Sequence, residues 1–224
     1  ADVVCSGSSC ELTASDAGPP IDAATPVDAT PTSDAGFDAG SCPKLPDGAG
    51  RLTALGTSLV YVAAGGTTVH SLDPLGNDQV VIGPFDPGEV ILAIAAGGGN
   101  VLAATSSGIY APPGITRVAT PTSTVEQLAL VDEVTLAFMW LSSGKVAFGP
   151  TGSPQFGTDY RHILGGKSTF FAAKGTTGIL EYDKTGSVVG GAYTIFDPPV
   201  AMAPALGGRF FWSDGVSLRV SSVN

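Results

Sequence analysis

From about residue 52 onward, apolar residues fall in short runs separated by turns rich in Gly, Ser, Thr, Asp and Pro. Runs of this length, bounded by turn residues, read as strands rather than helices. They group into cycles of about 37 residues. The first strands are Thr53-Ala54-Leu55, Leu92-Ala93-Ile94, Leu128-Ala129-Leu130, Ile163-Leu164 and Met202-Ala203. Second strands follow at Leu59 to Val62, Val101 to Ala104, Leu136 to Trp140, Phe170 to Ala173 and Phe210 to Trp212. Third strands come after small-residue turns, at Val69 to Leu72, Ile109-Tyr110, Lys145 to Phe148, Ile179 to Tyr182 and Ser217 to Val220. Fourth strands are clearest at Gln79 to Ile82, Thr116 to Ala119 and Ser187 to Val189. The fifth cycle supplies three strands, so the edge Ser217, Leu218, Arg219, Val220 is expected to be an incomplete last unit.

Local matches support the period. Phe85-Asp86-Pro87 and Phe196-Asp197-Pro198 each precede a first strand, three periods apart. Ser106-Ser107-Gly108 and Ser142-Ser143-Gly144 lie one period apart. Repeated units of this size cannot bury their faces alone and must stack on neighbours. The segment Phe210-Phe211-Trp212-Ser213-Asp214-Gly215 leading into Val216 to Val220 resembles a degenerate YWTD/NHL-type β-propeller blade. The resemblance covers one repeat well and the others as pattern. It implies an all-β, propeller-like fold of about five short blades, with a β-sandwich or β-solenoid as alternatives.

Composition adds a second region. Charged residues make up 13% of the chain, with 31 Gly and 17 Pro. Residues 1–50 hold eight of the 20 acidic residues and one of the ten basic ones. The division expected is an extended arm over 1–48 and a repeat domain over 49–224. Residues 11–41 are a low-complexity run of Asp, Ala, Pro and Thr that lacks the apolar surface to offset its conformational entropy. It resembles the stalks that separate a secretion signal from a folded domain in bacterial surface proteins. The chain opens on Ala1 without a charged and apolar leader, which reads as a mature exported protein. The most apolar stretch, Val90 to Thr105, is broken by Gly97-Gly98-Gly99-Asn100, so no intrinsic membrane span is expected. A basic stripe for nucleic acid is missing from the sequence.

Candidate chemistry is sparse. Cys5, Cys10 and Cys42 all lie in the arm, where Cys5 and Cys10 could close a small disulfide loop. Three cysteines allow three single bridges, and the sequence selects none of them. His70 and His162 have no acidic or cysteine cluster at metal-ligand spacing and read as structural. Asp132-Glu133 reads as a solvated turn, and Asp183-Lys184-Thr185-Gly186 as a hairpin turn rather than a calcium loop. Tyr160 and Tyr193, read as close to loops, are the aromatic ligand candidates. Neither a cofactor nor a catalytic set is expected.

Two functions follow. The first is a non-enzymatic, extracellular structural subunit of a filament or surface layer. Its arm, through the short segments Val3-Val4 and Leu12-Thr13, would complete the sheet edge of a neighbouring copy. The alternative is a secreted propeller binding module on a flexible stalk, with a glycan or surface protein as partner.

Overall fold

A computed structural model of the chain describes residues 2–6, 9–13, 45–131, 136–149, 153–175, 178–190, 199, 201–204, 210–213 and 216–220. The chain divides into two units, Ala1–Ala39 and Gly40–Asn224, against the expected boundary at residue 48. In the first, β1 (Asp2–Ser6) and β2 (Ser9–Thr13) form an antiparallel hairpin.

The second unit is a series of antiparallel sheets, each made from strands consecutive in sequence. The first holds β3 (Gly50–Leu55), β4 (Ser58–Val62), β5 (Val69–Leu72) and β6 (Asp78–Ile82). The second holds β7 (Ala93–Gly97), β8 (Asn100–Ala104), β9 (Ile109–Ala111) and β10 (Thr116–Ala119). The third holds β11 (Gln127–Leu130), β12 (Phe138–Ser142), β13 (Lys145–Gly149) and β14 (Ser153–Phe156). Three strands make the fourth sheet, β15 (Tyr160–Gly165), β16 (Phe170–Lys174) and β17 (Gly178–Tyr182). The fifth sheet also has three among the described residues, β18 (Ala201–Pro204), β19 (Phe210–Ser213) and β20 (Leu218–Val220). The innermost strands lie side by side in the order β3, β7, β11, β15, β18. This is the blade order that the repeat predicts, and every regular element among the described residues is a strand.

Two expectations shift. Ser187 to Val189 does not form a fourth strand; only Tyr182 and Val188 make an isolated bridge. Val188 and Val189 are exposed, so no packing holds that segment as a strand. Conversely, the third sheet has a fourth strand, β14, that the pattern did not mark. Its sequence Ser153-Pro154-Gln155-Phe156 has little apolar signal, and an edge position tolerates its proline.

Tight turns give the meanders their register. Gly98 and Gly99 both have positive φ and join Gly97 to Asn100, the closing pair of β7 and β8. Ser143 and Gly144 do the same between Ser142 and Lys145. A two-residue turn with both φ positive matches the right-handed twist of the strands it joins.

The core lies between sheets. Strands of the middle sheets are buried on both faces, which explains their unbroken apolar runs; all five residues of β12 are buried. Alternation sends one half of each sheet toward the preceding blade and the other half toward the next. Val60, Val62, Val69 and Ile82 of the first sheet thus meet Val101, Ala103 and Tyr110 of the second. Ala93, Ala95, Leu102 and Ile109 of the second meet Leu128, Leu130, Phe138 and Trp140 of the third. Met139, Leu141, Val146 and Phe148 then meet Ile163, Phe170, Ala172 and Tyr182 of the fourth. Finally Phe171, Ala173 and Ile179 meet Phe210, Met202 and Trp212 of the fifth.

Candidate interaction surface

Among the described residues, four apolar clusters join the facing sides of five sheets, and the outer sides of the fifth and the first lie outside them. On the fifth sheet, register pairs Ala201 with Ser213, Ala203 with Phe211, Phe211 with Val220 and Ser213 with Leu218. Residues paired across strands share a face, and this one points away from the fourth sheet, because Met202, Phe210 and Trp212 occupy the other side. Leu218 is 72% exposed and Val220 51%. Ala201 and Ala203 are exposed as well, and Phe211 is half-buried. The face carries no charged side chain at these positions.

The first sheet offers the opposite side. Leu52 pairs with Tyr61, Ala54 with Leu59, Leu59 with Leu72 and Tyr61 with His70. Val80 joins this face opposite His70, and Asp78 opposite Leu72. Tyr61 and Leu72 are buried within it. Leu52 and Val80 are 56% and 55% exposed on the flanking strands. A polar cluster crosses this face. The Tyr61 hydroxyl donates to Asp78 Oδ2 at 2.8 Å, and His70 Nδ1 lies 3.0 Å from Asp78 Oδ1. Loss of hydration, with the bond to the Asp78 carboxylate and its charge, pushes the Tyr61 phenol up to about 12.

The other polar groups fall at structural joints. Gln127 bridges two inner strands, its Oε1 accepting Ile163 N–H at 3.1 Å and its Nε2 donating to Arg161 O at 3.2 Å. The same Nε2 lies 3.2 Å from His162 Nδ1. Burial lowers the His162 pKa; a backbone bond at Pro199 opposes this and the Arg161 charge adds to it. Thr105 and Ser107 both donate hydroxyl hydrogens to Glu89 Oε1, and Ser107 Oγ lies 2.6 Å from the Tyr110 hydroxyl. Phe85, of the first Phe-Asp-Pro corner, is buried edge-on to Tyr110 with ring centroids 5.0 Å apart. Among the described residues no group of three His, Cys, Asp or Glu side chains could hold a metal ion, and no helix could cross a membrane.

Tyr160 is displaced from its expected role. It is 5% exposed on β15, with its hydroxyl bonded to that of Tyr182, so its ring is core rather than a ligand platform. The strand that carries Ile163-Leu164 begins at Tyr160, ahead of the polar Arg161 and His162, and so takes Tyr160 in. Tyr193, Cys42, Asp132 and Glu133 lie outside the described residues. Cys5 and Cys10 are directly opposed in the arm hairpin. The arm candidates Val3 and Val4 face Leu12 and Glu11, and Thr13 faces Asp2, so these segments pair with one another. Of the incomplete edge, Leu218, Arg219 and Val220 form β20, while Ser217 precedes it. Arg219 lies over the Trp212 ring, 5.1 Å from its centroid. Sequence reasoning missed Gln127 and the polar cluster on Asp78, because their partners are distant in the chain.

No protein-family model and no curated protein sequence matches the chain. Solved structures do. A virginiamycin B lyase from Staphylococcus aureus aligns with TM-score 0.56 at 12% identity, over 80% of this chain and 71% of the lyase. The WD40 β-propeller domain of Doa1 aligns at 0.51 and 12%, over 78% of this chain and 68% of that one. YCF48 bound to a D1 peptide aligns at 0.50 and 14%, over 76% and 62%. The chain spans 65–71% of the length of the streptogramin-type lyases it matches. At such identities the likeness is one of fold, and the fold is an all-β, propeller-like series of blades.

Proposed function

We propose that the chain is a non-enzymatic structural module, exported to the cell surface or beyond, that works by self-association. The observation that carries this reading is the uncharged face of the fifth sheet, where Leu218, Val220, Ala201 and Ala203 stand exposed. Contiguous apolar surface of this kind marks association sites in soluble proteins. Export is supported by the acidic Asp/Ala/Pro/Thr arm and by cysteines confined to it. The arm strands pair with one another, and this reading places the association on the blades.

Sedimentation velocity of the full chain over a hundredfold concentration range tests the reading. Species that grow in mass with concentration support it. A single monomer throughout overturns it. A binding module is the second reading, favoured by one comparison, since the YCF48 structure holds a peptide. Retention of the monomer on a glycan or peptide array would support that reading instead.

A further inference from the structure

We infer that the exposed face of the fifth sheet is the seat for the first sheet of a second copy of this chain, an inference that rests on the self-association reading. The argument is continuity with interfaces already formed. Four times along the chain, the outgoing face of one sheet rests on the incoming face of the next, with inner strand beside inner strand. Among the described residues, what stays exposed is the outgoing face of the fifth sheet and, on the incoming face of the first, Leu52, Ala54 and Val80 around the buried Tyr61 and Leu72.

The inner strands show the match in detail. On β7, Ala93 and Ala95 face the third sheet, and their small side chains admit Leu128 and Leu130 of β11. On β18, Ala201 and Ala203 recur with the same spacing and the same outgoing direction. Here both are exposed. The incoming face of β3 presents Leu52 and Ala54, with Leu52 56% exposed. A β3 from another copy would therefore set a leucine against the paired alanines, as β11 does within the chain. Across the sheets, Leu218 and Val220 would meet the side of the first sheet that carries Val80. The sets formed by Ala201, Ala203, Leu218 and Val220 and by Leu52, Ala54 and Val80 contain no charge, and the carboxylate that shares the incoming face, Asp78, already has Tyr61 and His70 as partners.

The two faces differ, so the contact is heterologous. Each copy uses its fifth sheet toward one neighbour and its first sheet toward another. Such a contact builds rings when the rotation closes and filaments when it does not.

Two full-length variants test this. Leu218→Lys with Val220→Lys blocks the outgoing face, and Leu52→Glu with Val80→Glu blocks the incoming one. All four positions are exposed, and thermal melts by circular dichroism check that folding is kept. If either double variant melts early, Leu218→Gln and Leu52→Gln replace them. Sedimentation velocity of each variant alone is expected to give monomer only. An equimolar mixture is expected to give a heterodimer and nothing larger, since one open face of each type remains. Oligomers from either variant alone, alike in mass to the parent, would overturn the face assignment and leave self-association standing. So would a mixture that stays monomeric. A parent chain that is itself monomeric at every concentration would sink both readings together.

Discussion

Asp73 and Asp183 hold the same turn in two different sheets. Asp73 Oδ1 accepts the Leu75 N–H at 2.8 Å and the Asn77 N–H at 2.9 Å. Asp183 Oδ1 accepts the Thr185 N–H at 2.8 Å and the Ser187 N–H at 2.9 Å. In each, the Gly three residues on donates back to the Asp carbonyl, Gly76 at 3.0 Å and Gly186 at 3.1 Å. The carboxylate replaces backbone partners that a longer turn would supply. The positions lie 110 residues apart (183 − 73), three repeats, so the repeat extends to how each third strand is left.

The first prediction concerns acid. The Asn77 side chain leads the bonds that hold the Asp73 pKa down, and the Thr185 side chain does the same for Asp183. A depressed carboxylate contributes stability above its unfolded value of about 4, and that contribution fades as pH falls through the folded value. Urea midpoints should therefore drop between about pH 5 and about pH 3. Asp73→Asn with Asp183→Asn should flatten that drop, because the amide still accepts but no longer titrates. Both groups are solvent-facing, so the flattening will be small.

The second concerns the joint between the fourth and fifth sheets. Phe210 is fully buried, and its ring centroid lies 4.7 Å from that of Phe171. Among the described residues, Met202 and Trp212 are the other large side chains of the fifth sheet in this cluster. Phe210→Ala should cost about 3–5 kcal/mol at this joint. The loss is expected to be local, with amide protection falling in β18 to β20 while β7 to β13 stay protected. Hydrogen exchange read by mass spectrometry would show it, and a uniform loss over all sheets would contradict it.

These two cases mark what the sequence made legible. The blade order was readable because middle strands, buried on both sides, are apolar without interruption, as in Phe138-Met139-Trp140-Leu141. The terminal faces were less readable. Leu52 and Val80 look like core residues in sequence, and nothing local says that their side of the sheet is open. Tyr160 misled for the converse reason: its burial comes from Tyr182 and Phe148 neighbourhoods on other strands. Gln127 was silent because its partners, Arg161 and Ile163, are 34 and 36 residues away.

A third prediction tests how closely the inner strands approach. A Cβ at Gly165 would collide with the Leu130 carbonyl of the neighbouring inner strand. At Gly97 it would meet Val131 O at 3.0 Å. Glycine thus lets β7 and β15 press against β11. Gly165→Ala should destabilise by about 1–3 kcal/mol, since backbone must shift to admit the methyl. Gly50→Ala is the control, with no atom within 4 Å of its added methyl, and should stay within about 0.5 kcal/mol. Equal midpoints in chemical denaturation for the two variants would show that the inner strands can part freely.

The last prediction turns on His162, which sits beside Gln127 where two inner strands meet. Burial disfavours its charged form and lowers its pKa, against the opposing backbone bond at Pro199. Folded His162 binds its proton at lower pH than the unfolded chain, in which the pKa is about 6.5. Above that pH both states are neutral and the contribution is whole. As pH falls from about 6.5 through the folded value, the unfolded state gains its proton first and stability declines. His162→Gln should remove this segment of the pH–stability curve while leaving the acid limb from Asp73 and Asp183. Gln127→Ala should raise the pKa of His162, because shortening the side chain opens the joint to water and lowers the desolvation cost. An imidazole titration by NMR on both proteins measures the shift directly. A titration unchanged by Gln127→Ala would place the desolvation of His162 elsewhere than at this joint.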